Sequence, residues 1–362
     1  MTVLAGCADR STSRSGRDAS AAASPEPSRG AEKAADTEDP AEATEPEDAG
    51  ELAADTAEPP PRSEPDASGD IEEAPPPVWV GPPPLVMSSK GRVVAIGDVH
   101  GDLDATRRAL RLGGLIDEDD HWIGEHSIAV QVGDQTDRGD DEQAILDLFE
   151  VLAQEAYAAG GAFVSLIGNH EQMNAQLDFR YVTEGGFADF ADFAESPDAP
   201  ADPRVAELPA EQRGRAIAFL PGGPYALKLA GHNVVQIVDT TLFVHGGVQP
   251  SHVGAGLGLM NAEHSAWLRG EGELSSLWSS DASPVWDRTY SDDTTAEGCA
   301  LLEETLDQLD LERMVVAHTV QSGGINTACD GKVFRVDVGL AAHYGGPTQV
   351  LEILGGATTI LQ

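Results

Sequence analysis

Three times a short apolar run breaks directly into glycine and then a cluster of carboxylate, amide or imidazole: "VVAIGDVHGD" (93–102), "AVQVGDQTDRG" (129–139) and "VSLIGNHE" (164–171). Between them, "DLDATRRALRLGG" and "DEQAILDLFEVLAQEAYAAG" carry apolar residues at helical spacing and finish on glycine. Strand, loop and helix in this repeated order build a parallel sheet, and the loops beyond the carboxyl ends of its strands converge on one crevice. The three polar clusters are therefore expected to meet in space.

Further short strands are predicted at "YALKLA", "NVVQIVD", "TLFVHGG", "RMVVAH", "KVFRVDVG" and "TQVLEIL". Their density predicts a second sheet packed on the first. The class is α/β in the broad sense (α+β): two packed mixed sheets flanked by helices. The stretch from about 178 to 224, rich in aromatics, is expected to be a partly helical cap inserted over the site. The "GAGLGL" run at 254–259 lacks the preceding strand and following acidic residue that dinucleotide binding needs, and is predicted to be a loop.

Residues 8–89 differ in kind from the rest of the chain. They hold 14 of the 23 prolines and one aromatic, Trp79, and are otherwise dominated by Ala, Glu, Asp, Ser and Gly. Such a segment cannot bury enough apolar surface to offset ordering entropy, so a disordered acidic tether is expected there, with the folded domain at 90–362. Before it, "MTVLAGC" resembles the end of a bacterial lipoprotein signal whose cysteine, here Cys7, becomes lipidated. The expectation is an exported protein anchored to the cell envelope, in the periplasm or at the outer membrane. If LAGC is a chance match, the location is cytoplasmic.

Charge and cysteine content limit the chemistry. With 22 Lys and Arg against 62 Asp and Glu, the formal net charge of -40 excludes a phosphate-backbone partner, because nucleic-acid binding rests on basic clusters. An anionic substrate then needs local cations to reverse the field, and metal ions would do that. The three cysteines, Cys7, Cys299 and Cys329, form no CxxC zinc signature. Cys299 and Cys329 could pair in an exported protein, although spacing alone does not bring them together. No run of about 18 apolar residues exists to span a membrane.

Hard carboxylate oxygens and neutral imidazoles at three converging strand ends suit a pair of divalent metals. Two later strand ends add His245 in "FVHGG" and His318 in "VVAHT". In this order GDxHG, GDxxDRG, GNHE, HGG and a later His resemble the signature of the phosphoprotein phosphatase family within the calcineurin-like metallophosphoesterases, over roughly residues 92–345. "LWSSDASPVWDR", "INTACDGKVFRVDVGLAAHYG" and the insertion beginning "DFRYVT" resemble the Shewanella-like protein phosphatases, a branch associated with phosphotyrosine and other phosphomonoesters.

The resemblance implies the metallophosphoesterase sandwich and a hydrolase of phosphoproteins or small phosphomonoesters. It implies that Asp98, His100 and Asp134 bind one metal and that Asp134 bridges to a second, completed by Asn169, His245 and His318. Manganese is expected first, with iron or zinc also accepted, and a hydroxide between the cations is the implied nucleophile. His170 beside Asp137 is similar to the family's proton donor. Arg138, Arg288 and Asn169 are implied to hold the phosphate; Arg288 is alternatively a surface ion pair with Asp287. Tyr344 fits either a place at the site mouth or a structural role, and Glu171 is expected to hold its loop or cap a helix. His121, His126, His232, His252, His264 and His343 are expected to be surface or packing residues. A dinucleoside polyphosphate hydrolase shares the first three clusters, and an inactive phosphate-binding module would share them all. The tail motifs count against the former and the intact His170, Asp137 and Arg138 against the latter. Oligomeric state is not legible.

Overall fold

The computed structural model describes residues 81–196 and 202–362; Cys7 and the tether up to residue 80 lie outside the described residues. Order begins earlier than Lys90. Strand β1 (Val86–Met87) pairs in parallel with β5 (Val235–Val238), and the Leu85 and Met87 carbonyls accept from the Ile237 and Asp239 amides. This corrects the tether boundary: Leu85 packs on the core, and three consecutive prolines, Pro82 to Pro84, precede a genuine edge strand.

The remaining strands are β2 (Arg92–Ile96), β3 (Ile128–Gln131), β4 (Ala162–Ser165), β6 (Thr241–Val244), β7 (Arg313–Val316), β8 (Asn326–Ala328), β9 (Val333–Arg335), β10 (Val350–Leu354) and β11 (Ala357–Leu361). They form two mixed sheets, ordered β1-β5-β6-β7-β9-β8 and β11-β10-β2-β3-β4, as expected. The three motif strands β2, β3 and β4 are parallel neighbours. Side-chain alternation sets the packing. Val238, Phe243 and Val315 join residues of the β2, β3 and β10 strands in one buried cluster, whereas Ile237, Leu242, Val244, Met314 and Val316 belong to a second core on the opposite face of their sheet.

Helices α1 (Leu103–Leu112) and α2 (Glu142–Ala158) come after the first two motif strands. Asp102 caps α1 by accepting from the Ala105 amide at 2.8 Å, and Phe149 of α2 meets Phe163 of β4 with ring centroids 4.9 Å apart. α3 (Asn169–Ala175) starts inside the third motif. The insertion is helical, with α4 (Glu184–Asp189) and α5 (Pro203–Glu207) leading to α6 (Ala210–Phe219). Packed with the six-stranded sheet are α7 (Pro224–Leu229), α8 (Pro250–Ala255), α9 (Leu257–Leu268), α10 (Ser276–Ser279) and α11 (Ala296–Leu309).

Two expectations fail locally. "YALKLA" is the helix α7, not a strand: Tyr225, Ala226 and Leu229 bury one helical face, and Pro224 at the first turn is a helix-start signal that the six-residue alternation masked. Residues 254–259 are not a loop but the junction of α8 and α9, broken at Gly256, whose φ of 104° no L side chain readily adopts.

Cys299 in α11 and Cys329 after β8 form a disulfide closing a span of 30 residues. A cross-link of that span stabilises by about 3.6 kcal/mol through the unfolded state. The Cys299→Ala/Cys329→Ala variant is expected to lose that much in urea unfolding; two free thiols at these positions in native protein would contradict the pairing. His264 gives a pH prediction. It is fully buried in α9, its Nδ1 donates to the Met260 carbonyl at 3.1 Å, and burial pushes it from 6.5 to about 4. Between these values the unfolded chain binds a proton that the folded chain refuses, so its contribution is present above about 6.5 and lost toward about 4. His264→Gln should remove about 3 kcal/mol of the acid-side stability loss, measured by urea unfolding at pH 7 and pH 4.5.

Candidate active site

The loops after β2, β3, β4, β6 and β7 carry every predicted ligand, and they are joined before any ligand is considered. The Val99 and His100 amides donate to the Asp134 carbonyl at 3.1 and 3.0 Å, and Gly101 N donates to Gln135 O at 2.8 Å. Glu171, fully buried, receives the Asp134, Gln135, Thr136 and Gly168 amides and the Thr136 hydroxyl, all between 2.8 and 3.0 Å. Its expected loop-holding role is thus met by five donors. A Cβ on Gly168 would lie 2.2 Å from Asp134 Oδ1, which explains the glycine before Asn169. His100, Asp134, Asp137, Arg138 and His318 all sit at positive φ, a cost that non-glycine residues bear where the surroundings impose it.

Two groups of donors emerge with one member in common: His100, Asp134 and His170, and Asp134, His245 and His318, with ligand atoms within 4.8 Å of one another in each. Asp98 lies alongside, its Oδ2 3.8 Å from His100 Nε2 and its Oδ1 3.9 Å from His245 Nδ1. Asn169 Oδ1 is 3.0 Å from His245 Nε2. All six predicted ligands are therefore buried side by side.

The donor set fits divalent cations. Asp98 Oδ1 and His318 Nε2 are buried without a hydrogen-bond partner, as metal-facing atoms would be. Burial, then Asp337 and Asp134, raise the Asp98 carboxyl well above its usual range, the mark of crowded like charges that a cation would relieve. Burial pushes His100 down to about 4, and burial together with the neighbouring His245 pushes His318 to about 2, so both rings present neutral nitrogen lone pairs. Burial opposes the charge on Asp134, yet His245, His170 and His100 around it hold its carboxyl well below the usual range.

His170 belongs to the first group by distance but is engaged elsewhere: its Nδ1 bonds Asp137 Oδ2 at 2.6 Å. Burial lowers it, and Asp134 with the Asp137 hydrogen bond more than offsets this, bringing it up to about 9. Arg138 is half-buried, with its guanidinium 4.0 Å over the Tyr181 ring and its Nε unpartnered. It borders an open hollow of about 630 Å³ together with His100, Thr183 and His343. Arg288 is exposed and donates to the His318 carbonyl at 3.1 Å and the Thr319 hydroxyl at 2.6 Å; Asp287 instead accepts from Gln249 and the Thr289 amide. Tyr344, 38% exposed, has its ring centroid 5.3 Å from that of His100, which puts it at the rim. The six histidines outside the motifs stay outside both donor groups.

Five neighbours of the site carry no motif. Tyr181 stacks 5.2 Å from His170, and Asp337 is buried against Asp98, its carboxyl raised to about 6 by burial. Glu142, Asn174 and Arg215 close around Asp137. Only "DFRYVT" and "RVDVG" flagged the neighbourhood of the first two. Because Glu171 is surrounded by donors, Glu171→Gln turns an amide N–H₂ toward backbone N–H groups. A loss of about 3 kcal/mol or more in urea unfolding is expected; parent-like stability would show that the loops hold without it.

The chain matches the family described as calcineurin-like phosphoesterase over residues 91–322. It is 37% identical over 292 residues to Shewanella-like protein phosphatase 2 of Arabidopsis thaliana, covering 72% of this chain and 75% of that protein. Shewanella-like protein phosphatase 1 of Plasmodium berghei is 30% identical over 270 residues, 71% of this chain and 70% of that one. The crystal structure of the cold-active protein-tyrosine phosphatase of a psychrophilic Shewanella species superposes with a TM-score of 0.60 at 25% identity, covering 78% of this chain and 83% of that one. Matches of this extent, on a fold whose strand ends gather six donors around one shared aspartate, place the chain in the calcineurin-like phosphoesterase family, as a phosphoester hydrolase related to the Shewanella-like protein phosphatases.

Proposed function

We propose that this phosphoester hydrolase removes phosphate from phosphorylated proteins, with phosphotyrosine favoured, using two divalent cations of which manganese is the first candidate. Asp134, common to two groups of metal-capable side chains, is the observation that carries the reading. Asp98, His100 and Asp134 would hold one cation; Asp134, Asn169, His245 and His318 would hold the other. When bound, such a pair supplies Lewis acidity, lowering the pKa of water and neutralising phosphate oxygens.

The protein's own groups supply the rest. Arg138 offers a planar fork to phosphate oxygens at the hollow's edge, with Arg288 and the Asn169 amide as further donors. His170 turns Nε2 toward the donor groups while Asp137 holds its Nδ1. In the proposed step a water oxygen forms the new bond to phosphorus and gives up a proton to solvent, while Nε2–H gives its proton to the leaving oxygen as the old P–O bond breaks, the bonding pair staying on that oxygen and the imidazole left neutral. The rings of Tyr181 and Tyr344 beside His170 and His100 suit an aryl phosphate, and one structural relative is described as a protein-tyrosine phosphatase. Export with a lipid at Cys7 is part of the same proposal: LAGC supplies the cysteine, and the Cys299–Cys329 disulfide suits an oxidising compartment.

Purified protein with added manganese should hydrolyse para-nitrophenyl phosphate, and either chelation or Asp134→Asn should lower kcat/KM by about a thousandfold or more. Activity that survives both refutes the two-cation reading. A phosphotyrosine peptide is expected to outpace a phosphoserine peptide and diadenosine tetraphosphate; preference for the dinucleotide would reassign the substrate. The protein should partition with membranes, and Cys7→Ser should release it.

A further inference from the structure

The insertion reaches the His170–Asp137 pair from behind. Arg215 of α6 has no exposed surface, and its guanidinium is fully engaged. Nη2 donates to Asp137 Oδ1 at 3.0 Å, Nε to Asn174 Oδ1 at 2.7 Å, and Nη1 to the Gly186 carbonyl at 3.0 Å and to Glu142. Asn174 in turn donates to Asp137 Oδ1 and to the His170 carbonyl, both at 2.9 Å. Asp137 therefore has one oxygen held by Arg215 and Asn174 and the other left to His170 Nδ1.

A buried arginine is an expensive way to fill space, since an apolar side chain of similar volume is often at least as stabilising. Phe190 and Phe219, with ring centroids 5.1 and 5.0 Å from its guanidinium carbon, attract the charge through their faces but offer it no hydrogen-bond acceptor, so the polar partners must come from elsewhere. The partners indicate what the charge does. Arg215 bonds Asp137 directly, braces Asn174, which holds both Asp137 and His170, and ties Glu142 at the head of α2 to the same cluster. Lysine, with three donors on a single nitrogen, could not span these four acceptors, whereas the rigid guanidinium fork spreads five donors over three nitrogens.

We propose that Arg215 is a positioning residue: by pinning the Asp137 carboxylate, the insertion fixes the orientation in which His170 presents its Nε2 proton to the leaving oxygen. This rests on the reading of His170 as the proton donor. It makes the insertion part of the catalytic apparatus as well as a cover.

The test compares manganese-loaded parent, Arg215→Met, Arg215→Lys and His170→Asn on phenyl phosphate, whose leaving oxygen needs a proton, and on para-nitrophenyl phosphate, whose leaving group departs with little help. For Arg215→Met, kcat on phenyl phosphate should fall about tenfold to a hundredfold, a part of what general acid catalysis contributes, with the loss on para-nitrophenyl phosphate about tenfold smaller. KM should stay within about threefold of the parent's on both, which separates orientation of the acid from phosphate binding. Arg215→Lys should show the same selectivity more weakly, and it decides the matter if Arg215→Met does not fold. If His170→Asn shows no leaving-group selectivity, the proton-donor reading itself fails. If His170→Asn shows it but the Arg215 variants lose both substrates equally, raise KM or behave as the parent, the positioning role is refuted.

Discussion

Asp134 stays ionised at 2% exposure because His245 and His170 stand beside it, and a carboxylate taken that far from water costs several kcal/mol unless its neighbours answer the charge. Those two imidazoles come from two different strand ends, so the charge is tolerable only when the loops after β4 and β6 meet the one after β3. The same residue is bound into the backbone. Its carbonyl receives Val99 and His100, its amide goes to Glu171, and its Oδ1 receives the His170 amide at 3.0 Å. Removing either loop would leave the buried Asp134 carboxylate short of a partner. The layer of valine, isoleucine and phenylalanine between the sheets holds the strand ends in place, and that rigidity is what lets polar groups remain crowded.

How much of this was legible depends on how local each requirement is. A strand that ends in ligands must change from apolar to polar within one or two residues, so Asp98, His100, Asp134, Asn169, His245 and His318 stand out in a linear reading. The parallel order of β2, β3 and β4 is dictated by the helical stretches between them. Arg215 is different. Its partners Asp137 and Glu142 lie 78 and 73 residues away, and nothing beside Arg215 in "EQRGRAIAF" marks it as buried. Asn174 and Asp337 are single polar residues without a motif. α7 was misread because six residues cannot separate alternation from helical spacing, and the Gly256 break because a glycine-rich run looks alike in a loop and between two helices. The pairing of Cys299 with Cys329 required knowing that α11 and β8 are neighbours.

Charge shapes the site on a larger scale. A protein with a formal charge of -40 repels phosphate at long range, and the hollow beside the site, lined by Asp102, Asp140, Asp141 and Glu184 with Arg138, offers few cationic groups to reverse that field. Arg138 and Arg288 face the approach, while Arg215 is engaged entirely inside. Divalent cations held by Asp98 and Asp134 would reverse the local sign, which is why two crowded carboxylates beside a phosphate site are compatible with an anionic substrate.

The insertion then has two consequences that its sequence position hides. Tyr181, near its start, lies between Arg138 and His170 on the open side, whereas Arg215, near its end, closes on Asp137 from the buried side. A segment that contacts the same pair of residues from both faces cannot shift without disturbing one of them. Change in the insertion is therefore constrained by the hydrogen bonds behind His170, and the sites free to vary are those between these anchors that touch neither His170 and Asp137 nor Arg138.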